Sequence, residues 1–421
     1  MLSGGTEAEA GMRLQDRGVV VTGGGSGIGQ QVCYAAAEEG VCIAVGDLDR
    51  FLGDGANDFI TGTILTIDGG WTIGKKMQGE NAVAPFRNLI TTPAAWTNRS
   101  IGGKAGLTQQ LTSAQLAAFE TVLARTRHLK PQQATREDFD HPEIDSLTAG
   151  MSDAIKHGRG AVLVSGVSRA THSEEDMERI YWGIGVCLGE PAVQSMLGDR
   201  LGHVQHVKDD PVARGYRSNE ELTPHTDSYR IVGLMCLQRA ETGGLSRIVS
   251  SLAIHNEIFA TRPELLEPLY EGYHYAVAEA QFSSQPVTDF KIPVFCCIDD
   301  MVSCNYVRSF MRNAAKLRDE PLPEKLTEAI DYFDHVAQRD DVGIQFVLEP
   351  GEMLLWHNFQ MLHARDAYQD SPQHTRHLLR LWLKAENDRP ICDEILQRAE
   401  IYERVHRERS GRVPESVLAG A

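Results

Sequence analysis

Hydrophobic spacing divides the chain into two stretches of different character. Near the start, apolar and β-branched residues at Gly18–Val21 predict a strand, Gly23–Gly29 a glycine-rich turn, Gln30–Glu39 a helix, and Val41–Val45 a second strand. Another short strand is expected at Thr63–Ile67, closed by Asp68-Gly69-Gly70, and the polar residues from about 73 to 105 read as a linker. From about residue 108 the apolar positions recur at helical spacing. Leu116, Phe119, Val122 and Leu123 share one face of a helix over Thr112–Arg127. A second helix is predicted over Asp145–His157, and Met177, Ile180, Tyr181, Ile184 and Leu188 mark a third over Glu174–Leu188. The strand Ala161–Val164 lies between them.

After residue 200 the pattern becomes strand-rich. Predicted strands are Ile231–Leu237, Ser246–Ser251, His274–Ala278, Pro293–Ile298, Met301–Val307, Gly343–Leu348, Met353–Trp356 and Leu378–Lys384. Helices over Leu252–Ala260 and Pro323–Ala337 interrupt them, and Asp393–Arg409 reads as a charged surface helix. Many short strands with Gly and Pro turns imply an α+β jelly roll with helices outside it.

Composition narrows the function. The chain has 421 residues, with 42% hydrophobic and 24% charged, which is ordinary for a globular protein with room for two or three domains. No long apolar run predicts a membrane span, and MLSGGTEAEAG lacks the basic and apolar regions of a secretory signal. A formal net charge of -17 argues against a nucleic-acid partner. The eight cysteines include no CxxC pair, so a disulfide scaffold or thiolate zinc site is not expected and a cytoplasmic location fits. Cys296, Cys297 and Cys304 lie in an apolar stretch and read as core. Oligomeric state leaves no mark in the sequence.

The chemistry concentrates in three places. His225 and Asp227 are two apart in Thr223-Pro224-His225-Thr226-Asp227, so an extended backbone would put an imidazole and a carboxylate on one face. His363, in Asn358-Phe359-Gln360-Met361-Leu362-His363, is the best third donor. Two His and one carboxylate on one side of a metal suit non-haem iron(II), because positions stay open for co-substrate and dioxygen. Further on, Arg376 and Arg380 fall on one face if their segment is a strand. A guanidinium beside an apolar pocket is costly unless it meets an anion, and a carboxylate bound bidentately is its natural partner. Gly243-Gly244-Leu245-Ser246 is a tight turn whose serine hydroxyl can donate to the same carboxylate. His203, His206, His255, His274 and His335 read as structural, although His203 and His206 lie close enough upstream of the metal strand to approach a substrate.

His225-Thr226-Asp227, Gly243-Gly244-Leu245-Ser246, Pro350-Gly351-Glu352, Asn358 to His363 and Arg376-x-x-x-Arg380 occur in an order that resembles the taurine dioxygenase (TauD/TfdA) family, over roughly residues 85–405. The resemblance implies a double-stranded β-helix with His225, Asp227 and His363 binding Fe(II). It implies that Arg376 grips the distal carboxylate of 2-oxoglutarate with help from Ser246, and that Arg380 faces an anionic group of a small-molecule substrate. Such an enzyme consumes O2 and 2-oxoglutarate, releases succinate and CO2, and most often hydroxylates an unactivated C–H bond. With Asp227 in the carboxylate position, a halogenase is not expected. His357 stands near a position where relatives often carry an acidic residue, and it is expected outside the ligand set.

Residues 1–84 form a separate unit from the oxygenase domain expected at 85–421. Thr22-Gly23-Gly24-Gly25-Ser26-Gly27-Ile28-Gly29 follows a strand and opens a helix, the context in which a glycine turn holds a pyrophosphate, and Asp47 could accept from a ribose hydroxyl. This segment resembles the start of a short-chain dehydrogenase/reductase, and Phe59 to Trp71 resembles that family's C-terminal end. The middle, with its Tyr-x-x-x-Lys, is missing. The piece therefore reads as a small, incomplete Rossmann-like segment, vestigial or mis-joined. NAD(P)-dependent oxidoreductase activity or nucleotide binding there is the alternative function. A non-catalytic β-helix protein that binds an anion or metal is a third reading, disfavoured by the presence of all three ligands and both arginines.

Overall fold

The computed structural model describes residues 18–22, 42–46, 84–195, 198–208, 217–277, 285–385 and 389–409. The chain divides into two compact units, Met1–Asn81 and Ala82–Ala421. In the first, strands Gly18–Thr22 and Cys42–Gly46 pair in parallel, with Gly18 opposite Cys42. Parallel strands require a crossover connection, as the strand–turn–helix–strand reading anticipates. The glycine turn, the helix over Gln30–Glu39, Asp47 and the strand at Thr63–Ile67 lie outside the described residues.

Two antiparallel sheets organise the second unit. The larger runs in the order Thr108–Gln110, Ala161–Ser165, Met353–His357, Ile231–Gln238, His377–Lys384 and Glu190–Pro191, with Leu201–Val204 also pairing to His377–Lys384. Only its Thr108–Gln110 edge pairs in parallel. The smaller runs Ile344–Phe346, Ser246–Ser250, Met361–Arg365 and Leu222–His225. These sheets form the jelly roll that the strand spacing implied.

Side-chain alternation explains why the larger sheet is apolar on both faces. Met353 and Leu355 turn outward with Leu379, Leu381 and Leu383, while Leu354, Trp356, Leu378 and Trp382 turn toward the smaller sheet. The outward face is covered by helices Ser113–Thr126, Pro142–Lys156 and Glu174–Leu188, whose Phe119, Val122, Ile144, Met151, Ile180 and Ile184 are buried there. Helices Ser251–Thr261 and Glu324–Gln338 pack with the smaller sheet in the second cluster. Burial of Leu- or Ile-sized side chains contributes about 1.5–3 kcal/mol each, so these faces dominate the stability.

The structure corrects several sequence expectations. The linker expected to reach residue 105 already contributes to the core, because Ile90, Ala94 and Trp96 are buried and the Trp96 indole donates to the Arg159 carbonyl at 2.7 Å. The strand expected over His274–Ala278 reduces to isolated bridges at Tyr273 and Ala276. Helices Leu266–Glu271 and Arg308–Arg318 were not anticipated. Helix Asp393–Arg409 is not simply a surface element, since Ile395 is buried and Arg398 reaches the site described below. Of the cysteines, Cys296 and Cys304 are buried and Cys297 is half-buried, in line with a core role.

Candidate metal centre and anion cradle

His363 stands directly opposite His225 across the antiparallel pair of Met361–Arg365 and Leu222–His225. Opposed side chains in such a pair are neighbours, and the two imidazoles have ring centroids 4.2 Å apart. Asp227 lies just beyond the strand's last residue, so its placement does not come from strand alternation. Asn358 holds it instead: the Asp227 amide donates to Asn358 Oδ1 at 2.8 Å, and Asn358 Nδ2 donates to the Asp227 carbonyl at 2.9 Å. Arg398 adds a donor to that carbonyl at 2.9 Å.

One donor atom each from His225, Asp227 and His363 falls within 4.8 Å of the others, and His363 Nε2 is 3.7 Å from Asp227 Oδ2. His225 donates from Nδ1 to the Thr223 carbonyl at 2.8 Å, which leaves the Nε2 lone pair for a cation. The Trp382 indole donates to Asp227 Oδ2 at 2.8 Å and orients the carboxylate. Burial, and then the neighbouring His225, pushes the His363 imidazole down to about 3, and burial also lowers His225. Burial by itself would raise the Asp227 carboxyl, but His363, Arg380, His225 and Trp382 together bring it down to about 2. Neutral imidazoles beside an ionised carboxylate are the protonation states a divalent cation needs.

Arginines flank this group. Arg376 and Arg380 sit on the inward face with Leu378 and Trp382, and both are buried. Arg380 stacks over Trp382 at 4.5 Å and donates from Nε to Gln194 Oε1 at 2.7 Å. Arg376 lies 5.1 Å from the Tyr368 ring centre, and its Nη1 is buried without a hydrogen-bond partner. It lines a cavity of about 260 Å³ with Ser246, Gly243 and Gly244. Gly244 has φ +68°, and a Cβ there would come within 3.3 Å of Arg376 Nε, so glycine is needed both for the turn and for the guanidinium's approach.

Arg365 was missed from the sequence. It is buried, 4.9 Å from the Tyr368 ring centre on its guanidinium carbon, donates to the Glu220 carbonyl, and has Nε and Nη1 without partners. Burial holds Arg376 below the usual arginine range although Tyr368 opposes it, and burial followed by the Arg376 charge brings Arg365 down to about 10. Two buried guanidiniums on one tyrosine ring with unused donors fit an anion. The signal available in the sequence was parity: Arg365 is two residues from His363 on the same strand. Asn358 and Arg398 carried no comparable signal, because their contacts join distant segments.

The other histidines separate cleanly. His255 is fully buried against Phe295 and Tyr270, and His274 hydrogen-bonds the Thr288 carbonyl. His335 lies beside Tyr332. His357 is buried, its Nδ1 accepts from the Phe359 amide, and it does not join the group of His225, Asp227 and His363. His203 faces His377 on the outer side of the larger sheet, across the sheet from His225, Asp227 and His363.

A jelly roll that brings two histidines and an aspartate together, and that also carries buried arginine donors without partners, has the donor set of a candidate oxygenase metal site. Residues 125–382, more than half of the chain, match the family described as taurine catabolism dioxygenase TauD, TfdA family, and the chain belongs to that family. It is an iron(II)- and 2-oxoglutarate-dependent dioxygenase. Among curated relatives, FR-33289 synthase of Streptomyces rubellomurinus is 28% identical over 323 residues, covering 72% of this chain and 93% of that protein. Taurine hydroxylase-like protein SAT17 of Stachybotrys chartarum is 27% identical over 308 residues, covering 68% of this chain and 77% of the other. Asparagine oxygenase in complex with Fe(II), 3-hydroxyasparagine and succinate shares the fold at TM-score 0.53 and 16% identity, covering 66% of this chain and 93% of that one. The non-heme iron oxygenase OrfP with Fe and alpha-ketoglutaric acid does so at TM-score 0.51 and 14% identity, covering 66% of this chain and 94% of that one. Among the described residues no helix is long and apolar enough to cross a membrane.

Proposed function

We propose that His225, Asp227 and His363 hold the iron, that Arg376 with Ser246 receives the distal carboxylate of 2-oxoglutarate, and that the substrate is a small organic anion hydroxylated at an unactivated C–H bond. The observation that carries this reading is the convergence of three ligating atoms within 4.8 Å, beside a buried Arg376 Nη1 with no partner. The donor set fits iron(II), with two neutral imidazoles and one carboxylate. When bound, iron with 2-oxoglutarate and O2 supplies the oxidising power that turns C–H into C–OH, with succinate and CO2 released.

The protein's own part is to bind, orient and keep out water. Trp382 and Asn358 fix the Asp227 carboxylate from its side chain and its backbone. Arg376 and Arg365 present donors that a carboxylate can satisfy, and this aligns the co-substrate. Arg380 stacks over Trp382 and is close enough to act on the charges of Asp227 and His363. A positive group there supports an anionic substrate and a fixed orientation of the reacting carbon.

The N-terminal unit is proposed to be a truncated dehydrogenase-like piece without the catalytic Tyr and Lys. Its parallel strand pair supports a βαβ beginning. Saturable NADH binding by the chain would favour the nucleotide-binding alternative.

The test is iron-dependent succinate release from 2-oxoglutarate. His225→Ala should abolish it. Arg376→Gln should raise the KM for 2-oxoglutarate by about 10- to 150-fold, the loss expected when a charge-assisted pair worth about 1.5–3 kcal/mol is removed. Unchanged turnover in His225→Ala would remove the metal assignment, and an unchanged KM in Arg376→Gln the co-substrate assignment.

A further inference from the structure

A second group of metal-ligating side chains lies on the other face of the strand that carries Arg380. His203 comes from strand Leu201–Val204, His377 opens strand His377–Lys384, and Glu174 and Glu178 stand one turn apart on helix Glu174–Leu188. His203 Nδ1 and His377 Nε2 are 2.8 Å apart. His377 Nδ1 is 3.5 Å from Glu174 Oε1, and His203 Nε2 is 3.9 Å from Glu178 Oε1. One donor atom each from Glu174, His203 and His377 lies within 4.8 Å of the others, as is also true of the proposed iron ligands. His203 is directly opposite Leu379, so both imidazoles are on the outward face, separated from the iron group by the sheet itself.

We infer that His203, His377 and Glu174, with Glu178 as the nearest fourth donor, form a second binding site for a divalent cation of the zinc class. Two imidazoles with carboxylates suit Zn2+, whereas Mg2+ and Ca2+ prefer oxygen donors alone. Two imidazole nitrogens on a tetrahedral ion at about 2.05 Å each stand roughly 3.3 Å apart, so the rings need to part by only about half an ångström. Arg169, 4.0 Å from Glu174, is the one nearby cation that competes for that carboxylate among the ion pairs of the described residues. A bound ion would tie the helix's first turn to the start of the strand adjoining Arg376.

Calorimetric titration of the metal-stripped full chain with ZnCl2 tests this. The wild type should bind two ions per chain, His225→Ala one, the double variant His203→Gln/His377→Gln one, and the triple variant none. The double variant should keep its circular dichroism spectrum and its iron-dependent succinate release. If it fails to fold, Glu174→Gln provides the check, with Zn2+ at the second site at least tenfold weaker and the iron site unchanged. Two ions still bound by the double variant, or unchanged affinity in Glu174→Gln, would overturn the inference. A faulty iron assignment gives a different pattern, since His225→Ala would then bind as many ions as the wild type while the double variant still lost one.

Discussion

Trp382→Phe isolates one hydrogen bond behind the proposed iron site. The indole donates to Asp227 Oδ2 at 2.8 Å from a fully enclosed position, and its ring lies under Arg380 at 4.5 Å and beside Tyr229 at 5.6 Å. Phenylalanine keeps a ring for Arg380 to stack on but has no N–H. A hydrogen bond to an ionised group is worth about 1.5–3 kcal/mol. The carboxylate without its donor should rotate more freely, and iron should bind roughly 10- to 150-fold more weakly, at 1.4 kcal/mol per tenfold. Outer partners of metal ligands typically change affinity by about 10–100-fold, so two independent routes give the same range. The assay is anaerobic equilibrium dialysis against graded Fe(II), with the KM for 2-oxoglutarate measured at saturating iron. The expected result is a large shift in iron affinity with little change in that KM, because Arg376 and Ser246 are untouched. An iron affinity within twofold of wild type would refute the reasoning. A shift confined to the KM would instead mean that Trp382 acts on the co-substrate.

Two further outcomes follow from buried groups. Asn358→Ala leaves the Asp227 amide without its acceptor in a fully buried position. The metal-free chain should lose about 2–4 kcal/mol in urea unfolding, and a loss under about 1 kcal/mol would contradict the clamp. His255, enclosed by Phe295 and Tyr270, is pushed by burial down to about 4. A histidine held below its ordinary value of about 6.5 makes the unfolded chain bind the extra proton first, so stability falls as pH drops from about 6.5 toward 4. This group accounts for roughly 2 kcal/mol lost between pH 6.5 and 5, and His255→Leu should lessen the acid sensitivity of urea unfolding by that amount. An identical pH dependence in the variant would show that His255 is not the source.

By itself, the sequence determined the elements whose signal is local. Helix Glu174–Leu188 follows from its apolar spacing and its Ser173 cap, and the strands of the larger sheet follow from runs such as Met353–His357. The candidate site was legible too, because His225-Thr226-Asp227 and Arg376-x-x-x-Arg380 are short patterns with a chemical reason for their spacing. Short helices such as Leu266–Glu271 were not, since a single turn of helix carries little periodicity. Tertiary structure alone decided how Asp227 is held, because its partners Asn358, Trp382 and Arg398 come from three other segments. The same holds for Arg365 meeting Arg376 across Tyr368, and for His203 meeting His377. Those contacts depend on which strands pair and in what register. Strand pairing is a long-range property that single residues and their near neighbours do not encode.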